Sequence, residues 1–232
     1  MNARGGLAGK VGLVTGGGRG AGLAIARALA GEGMAVGLMA RGRAGLAAAA
    51  AEIERAGGRA VALVGDVRSW SDVERCVGGL VDRFGRLDLL VNNAAVRGAG
   101  PAESVPLEEW RAAIETNLIG GYHCARAAIP HLKAAGGGWI LGIGSGAGRR
   151  GYAGMSAYSA SKFGLLGLNE SLAEELREHR IKVSTILPGS IATGARQPGA
   201  RYLEPEDVAQ AVLALLAQSE RAWTQEMNLW PF

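Results

Sequence analysis

The chain has 232 residues, 48% of them hydrophobic and 20% charged, with a formal net charge of +4. That length suits one α/β domain with its own core, and 25 basic residues scattered among 21 acidic ones argue against a nucleic-acid surface. No apolar run reaches the roughly 18 uncharged residues of a membrane span, and the first ten residues lack a signal peptide's apolar stretch, so a soluble, cytoplasmic protein is expected.

Residues 10–15 are a short apolar run suited to a buried parallel strand. The turn Gly16-Gly17-Gly18-Arg19-Gly20-Ala21-Gly22 follows and runs into helix-forming residues 23–30. Glycine is abundant throughout, 38 residues against a typical share of about 7%, and it gathers at such strand-to-helix turns. Strand, glycine-rich turn and helix form the context of a dinucleotide-binding fingerprint. There the backbone approaches a pyrophosphate, and the helix N-terminus stabilises its charge. Residues 35–40 read as a second strand, followed by Arg41-Gly42-Arg43. An acidic residue here would bind the adenosine ribose hydroxyls of NAD. Arg41 stands there instead, and with Arg19 it offers two guanidiniums to a 2′-phosphate. NADP(H) is therefore expected in preference to NAD(H), unless Arg41 and Arg43 merely open a solvated helix.

Residues 44–56 are an alanine-rich helix closed by Gly57-Gly58, and 60–64 a third strand before Gly65-Asp66-Val67. Asp66, at a strand's carboxyl end, is placed to accept from an adenine amino group or to cap the next helix, a task Ser69 or Ser71 can also take. Residues 70–84 are an amphipathic helix. Residues 87–91 form a fourth strand running into Asn92-Asn93-Ala94-Ala95, whose asparagines can pin neighbouring strands or meet a cofactor. Four such alternations predict a doubly wound parallel sheet. Helical sequence then runs from 107 to about 133, with Asn117 inside it as a surface residue or a functional kink. Residues 139–144 are a fifth strand delivering Ser145. A helix at 156–178, a strand at 182–187, Pro188-Gly189-Ser190-Ile191-Ala192-Thr193, a helix from Pro205 to about Gln218 and a strand at 227–229 complete the chain. The expected architecture is α/β: about seven parallel strands with helices on both faces, residues 1–232 forming a single domain.

Tyr158 and Lys162 are four apart in predicted helix and share one face. A lysine ammonium beside a phenol is expected to lower the tyrosine pKa from about 10 and give a proton donor and acceptor usable near neutrality. The Ser145 hydroxyl can hydrogen-bond a substrate oxygen beside it. Taken alone, the pair also fits an exposed tyrosine with a solvated lysine. Cys76 and Cys124 lie far apart and read as free thiols, and the three histidines show no metal-ligand spacing, so no metal is expected.

In order and spacing, Thr15-Gly-x-x-x-Gly20-x-Gly22, Asp66, Asn92-Asn-Ala-Ala95, Asn117, Ser145, Tyr158-x-x-x-Lys162 and Pro188-Gly-x-Ile-x-Thr193 resemble the short-chain dehydrogenase/reductase family. The likeness is to its shorter, single-domain Rossmann-type members and spans about residues 10–229. It implies hydride transfer between NADP(H) and a carbonyl or secondary alcohol, as in carbonyl and 3-oxoacyl reductases. By resemblance, Tyr158 exchanges the proton, Ser145 polarises the carbonyl, Lys162 binds the nicotinamide ribose, and Asn117 positions a water in a relay. Gly16, Gly20 and Gly22 bound the pyrophosphate turn, Asp66 and Asn92 face the adenosine half, and Ile191 and Thr193 hold the carboxamide. Gly18, Arg19, Arg41, Val67, Ala94, Pro188 and Gly189 complete the cofactor-contacting set. The resemblance also implies homodimers or homotetramers built on the helices at 122–133 and 156–178.

Three features depart from the family pattern. Ala95 replaces a usual glycine, the segment at 194–204 is short for a substrate lid, and the tail Met-Asn-Leu-Trp-Pro-Phe replaces a glycine-ending one. Arg97, Gly146, Arg149, Arg150, Tyr152 and Gly189 are expected around the small-molecule substrate. Arg149-Arg150 binds an anionic group there, or else forms a subunit contact or a solvated turn. The competing function is a non-catalytic NADP(H)-binding sensor or scaffold with the same fold.

Overall fold

Every residue of the first strand, β1 (Val11–Thr15), is buried, and its side chains alternate between two apolar cores, Leu13 facing one and Val14 the other. The same two-sided burial recurs in β2 (Ala35–Ala40) and β4 (Leu89–Asn92), which is why these runs are continuously apolar and why helices must cover both faces. The computed structural model describes residues 6–192 and 201–232. Its seven strands form one parallel sheet in the order β3-β2-β1-β4-β5-β6-β7, where β3 is Arg59–Val64, β5 Gly138–Ile143, β6 Ile181–Pro188 and β7 Glu226–Leu229.

One face carries α1 (Gly20–Gly31), α2 (Arg43–Arg55) and α7 (Pro205–Leu216), which contribute Ile25, Leu29, Leu46, Ile53, Val212 and Leu215 to the first core. On the other face, α3 (Trp70–Phe84), α5 (Gly120–Ala134) and α6 (Ser156–Leu176) contribute Val77, Leu80, Cys124, Leu132 and Leu176 to the second. Each fully buried aliphatic side chain contributes about 1.5–3 kcal/mol of transfer free energy. Both cysteines are free and buried, and desolvation pushes the Cys124 thiol up to about 12.

Two expected elements differ. The fourth strand begins at Leu89, because the buried Asp88 carboxylate accepts the Val11 N–H at 2.9 Å and is held from below by Arg86 at 2.6 Å. The continuous helix expected over 107–133 is divided. It consists of α4 (Leu107–Ile114), one π turn (Glu115–Ile119) and α5. Strand order reverses between β1 and β4, so the loops at their carboxyl ends diverge and leave a crevice there.

Candidate active site

The crevice begins with Thr15. Its hydroxyl accepts the N–H groups of Asn93 and Ala94, both at 3.0 Å, while the Asn93 amide donates to the Thr15 carbonyl at 2.8 Å. Asparagine thus pins β1 to β4. The chain then turns at Gly16 with φ of +67°, a conformation that disfavours any side chain. At Gly22 a Cβ would stand 2.4 Å from the Gly16 carbonyl oxygen and 2.5 Å from Asn93 Nδ2, so only glycine lets α1 approach the turn. Around Gly18 and Gly20 there is no such crowding. Arg19, at the start of α1, supplies no side-chain cap, and the first turn holds no acidic residue. Its N–H groups face outward as an anion-attracting end. A small cleft beside this turn is lined by Thr15, Val67, Asn92, Ala94, Asn117 and Gly121. Asn92 donates to the Gly121 carbonyl at 3.0 Å, yet its buried Oδ1 has no partner among the described residues.

Beyond β2, Arg41 is exposed, as is Arg19, and neither forms an ion pair among the described residues. The positive charge of Arg41 is felt at Asp66. Asp66 itself is gripped by a residue that spacing gave no reason to single out. Arg68 donates to its carboxylate through Nε at 3.0 Å and Nη2 at 2.6 Å, and also through its backbone N–H at 3.0 Å. These bonds, together with the guanidinium charge, hold the Asp66 carboxyl below the usual range. The helix cap is Ser69, whose hydroxyl accepts the Asp72 N–H at 3.3 Å, while Asp72 takes the Asp66 N–H at 3.0 Å. Val67 is buried, and its carbonyl accepts from His123 Nδ1 at 3.0 Å.

Strand β5 ends at Ile143 and delivers Ser145 in an extended conformation, its Oγ accepting the Ala147 N–H at 3.1 Å. The Ser145 hydroxyl lies close enough to the Tyr158 phenol to favour its ionised form. One helical turn on, Lys162 is 3% exposed and donates through Nζ to the Ile143 carbonyl at 2.7 Å, 5.6 Å from the Tyr158 ring centroid. The three residues converge as expected, but the electrostatics differ from expectation. Burial raises the Tyr158 pKa above its ordinary value, with Ser145 and the charge of Arg97 pulling in the opposite direction. Lys162 is turned toward the backbone. Its ammonium is directed at a carbonyl, and desolvation brings its own pKa down to about 8.

Asn117 is a buried kink. Its Oδ1 accepts the Val96 N–H at 2.8 Å, and its Nδ2 donates to the Val96 carbonyl and to Ser161 Oγ, both at 2.9 Å. Ser161, which the sequence gave no reason to mark, donates to the Tyr158 carbonyl at 2.7 Å. Asn117 therefore ties α6 to the loop that carries the exposed Arg97, and that loop is fixed again where the Gly100 N–H meets the Gly154 carbonyl at 2.8 Å.

On the far side, the Gly189 N–H donates to the Leu229 carbonyl at 2.7 Å, and Ile191 bridges to Leu203. Thr193 and residues 194–200 of the short segment lie outside the described residues. Arg149 is paired with Glu226 and lies 3.6 Å from Glu170, so it braces the edge strand. Arg150 stacks over Tyr152, 5.0 Å from the ring centroid.

Comparison with known proteins adds to this geometry. A family model described as short chain dehydrogenase matches residues 10–201. The 3-oxoacyl-[acyl-carrier-protein] reductase of Synechocystis sp. is 35% identical over 94% of this chain and 93% of its own length. The trans-4-hydroxycyclohexanecarboxylate dehydrogenase of Sinomonas cyclohexanicum is 37% identical over 96% of this chain and 91% of its own. Among solved structures, a metagenomic short-chain oxidoreductase in complex with NADP superposes with a TM-score of 0.88 at 39% identity, covering 98% of this chain and 99% of that one.

Proposed function

The chain belongs to the short-chain dehydrogenase family, and from that premise we propose that it is an NADP(H)-dependent oxidoreductase interconverting a carbonyl compound and its secondary alcohol. The observation that carries the reading is the convergence of the Ser145 hydroxyl, the Tyr158 phenol and the buried Lys162 ammonium at the carboxyl ends of β5 and β6. The relatives from Synechocystis and Sinomonas are both named for chemistry between C=O and CH–OH groups.

The residues fit a dinucleotide. Gly22 leaves the turn open to close backbone approach, the α1 N-terminus is uncapped, and Asn92 Oδ1 is buried on the cleft without a partner among the described residues. Gly16, Gly18, Gly20 and Gly22 would hold the pyrophosphate, and Asp66, Val67, Asn92 and Ala94 the adenosine half. Lys162 would hold the nicotinamide ribose, and Pro188, Gly189, Ile191 and Thr193 the nicotinamide end. Arg19 and Arg41, exposed and free of ion pairs among the described residues, would take a 2′-phosphate, which favours NADP(H) over NAD(H). When bound, the cofactor supplies or accepts the hydride.

The chain's own residues do the rest. Ser145 orients the substrate oxygen, and Tyr158, a protonated phenol at neutral pH, donates its proton to that oxygen in the reducing direction. The Asn117 amide bonds Val96 and Ser161, so in this reading it positions α6 and the Arg97 loop, and the remaining lone pair of its Oδ1 would be free to hold a relay water. Residues 1–232 act as one domain in this reading. None of the described helices is long and apolar enough to cross a membrane, and a cytoplasmic location is part of the same proposal. Self-association would use α5 and α6, where Tyr122 and Phe163 are exposed.

Tyr158→Phe tests the assignment. It is expected to lower kcat by about 10²–10⁴-fold, the usual contribution of a positioned general acid, while NADPH affinity by fluorescence titration stays within a factor of two or so. Turnover at the wild-type level in that variant would remove Tyr158 from the mechanism.

A further inference from the structure

The C-terminal tail, which departs from the family pattern, folds back onto the site. After β7 ends at Leu229, whose carbonyl holds the Gly189 N–H at 2.7 Å, Trp230 enters between two loops. A Cβ at Gly146 would lie 2.9 Å from Trp230 Cη2, and one at Gly189 would lie 3.0 Å from Trp230 Cε3. Both atoms belong to the outer edge of the six-membered ring, one bond to either side of Cζ3. That edge therefore lodges against the residue that follows Ser145 and the residue that follows Pro188, and a side chain at either place would push the ring aside. Pro231 closes on Gly189 as well, its Cδ 3.0 Å from the same hypothetical Cβ, and its fixed φ limits how far the tail can swing. The Tyr152 hydroxyl comes within 3.6 Å of the Gly146 position from the other side.

Despite these contacts, Trp230 is 58% exposed. A large apolar ring, locked in place beside a reacting hydroxyl and open on its remaining surface, offers contact area at little entropic cost. Resting on the reading of the site given above, we propose that Trp230, with Tyr152, forms the apolar wall of the substrate pocket and selects carbonyl compounds with a cyclic or bulky apolar body over short-chain ketones.

The test compares 2-tetralone with 2-butanone, each with NADPH, in the wild type, Trp230→Ala and Trp230→Phe. Trp230→Ala is expected to lower the tetralone-to-butanone ratio of kcat/KM by about tenfold or more, through the tetralone KM, as expected when an apolar contact is lost from a pocket. Trp230→Phe should retain most of the ratio, with NADPH affinity unchanged in both variants. An unchanged ratio, an equal loss for both ketones, or a loss that tracks dissociation of the assembly in sedimentation would overturn the proposal. If the wild type reduces neither ketone, the reductase reading is tested separately on a wider range of carbonyl compounds, and the wall is then read by binding. Quenching of tryptophan fluorescence by 2-tetralone that disappears in Trp230→Phe supports it, and quenching that is absent or unaffected by the substitution overturns it.

Discussion

Lys162 enters a buried position with one carbonyl partner, and desolvation sets its pKa near 8 against 10.5 in its ordinary state. The unfolded chain therefore binds a proton that the folded chain lacks between about pH 8 and 10.5, and stability climbs with pH across that window. Below about pH 8 both states are protonated and the full cost of burying the charge is present. Lys162→Met removes this linkage. Its Tm relative to wild type is expected to be highest at neutral pH and to fall steadily as pH approaches 10, whatever constant offset the orphaned Ile143 carbonyl introduces. A pH-independent difference in calorimetry would mean that Lys162 is not desolvated as described. That Tyr158 and Lys162 share a face was legible in helical spacing, whereas their grouping with Ser145 rested on the family resemblance. The sign of the phenol shift was not legible, since it depends on burial and on the direction of an ammonium, and a one-turn spacing reveals neither. Arg68 was missed for a related reason: two residues beyond Asp66 nothing in the pattern distinguishes a carboxylate partner from a solvated arginine.

Among the elements, the π turn at Glu115–Ile119 matters most for the site. It turns Asn117 inward, where one amide satisfies both backbone groups of Val96 and the Ser161 hydroxyl. Asn117→Ala leaves the partly buried N–H and carbonyl of Val96 without partners. A loss of about 1–3 kcal/mol is expected for groups of this kind, seen as a lower denaturant midpoint, together with faster amide exchange at Val96. A midpoint equal to wild type would show that the amide is not what holds the loop. The strands and the glycine turn were readable because continuous apolar runs ending in glycine have few other uses. The kink was readable only as a choice between surface and function, because an asparagine's poor helix propensity does not say which way the side chain faces. Asp88 was likewise absorbed into the expected fourth strand, where a carboxylate among leucines looks like a strand end and not like the acceptor for Val11.

At the scale of the molecule, the sheet carries its ligand-facing loops at one end and leaves apolar side chains on one flank. Leu107, Ile119, Tyr122 and Phe163 are exposed on α4, the π turn, α5 and α6. The helical segments that carry them pack on one another, and exposed apolar side chains on such neighbours fit burial in an assembly. Sedimentation at micromolar concentration is expected to give a dimer or tetramer, and Phe163→Glu to shift it toward monomer; a wild-type monomer would contradict this. The architecture was legible throughout because seven strands separated by helical segments admit few arrangements. Pocket shape was not, since the contact of Trp230 with Gly146 and Gly189 joins segments far apart in sequence. The most direct measurement for the whole account is oxidation of NADPH against NADH by the purified protein over a panel of ketones, diketones and acyl thioesters. The account predicts carbonyl-dependent turnover with kcat/KM for NADPH exceeding that for NADH by about tenfold or more, as expected when Arg19 and Arg41 bind the 2′-phosphate. Carbonyl-dependent turnover with NADH alone would contradict the role of those arginines, and cofactor binding without turnover of any carbonyl would contradict the proposed reaction.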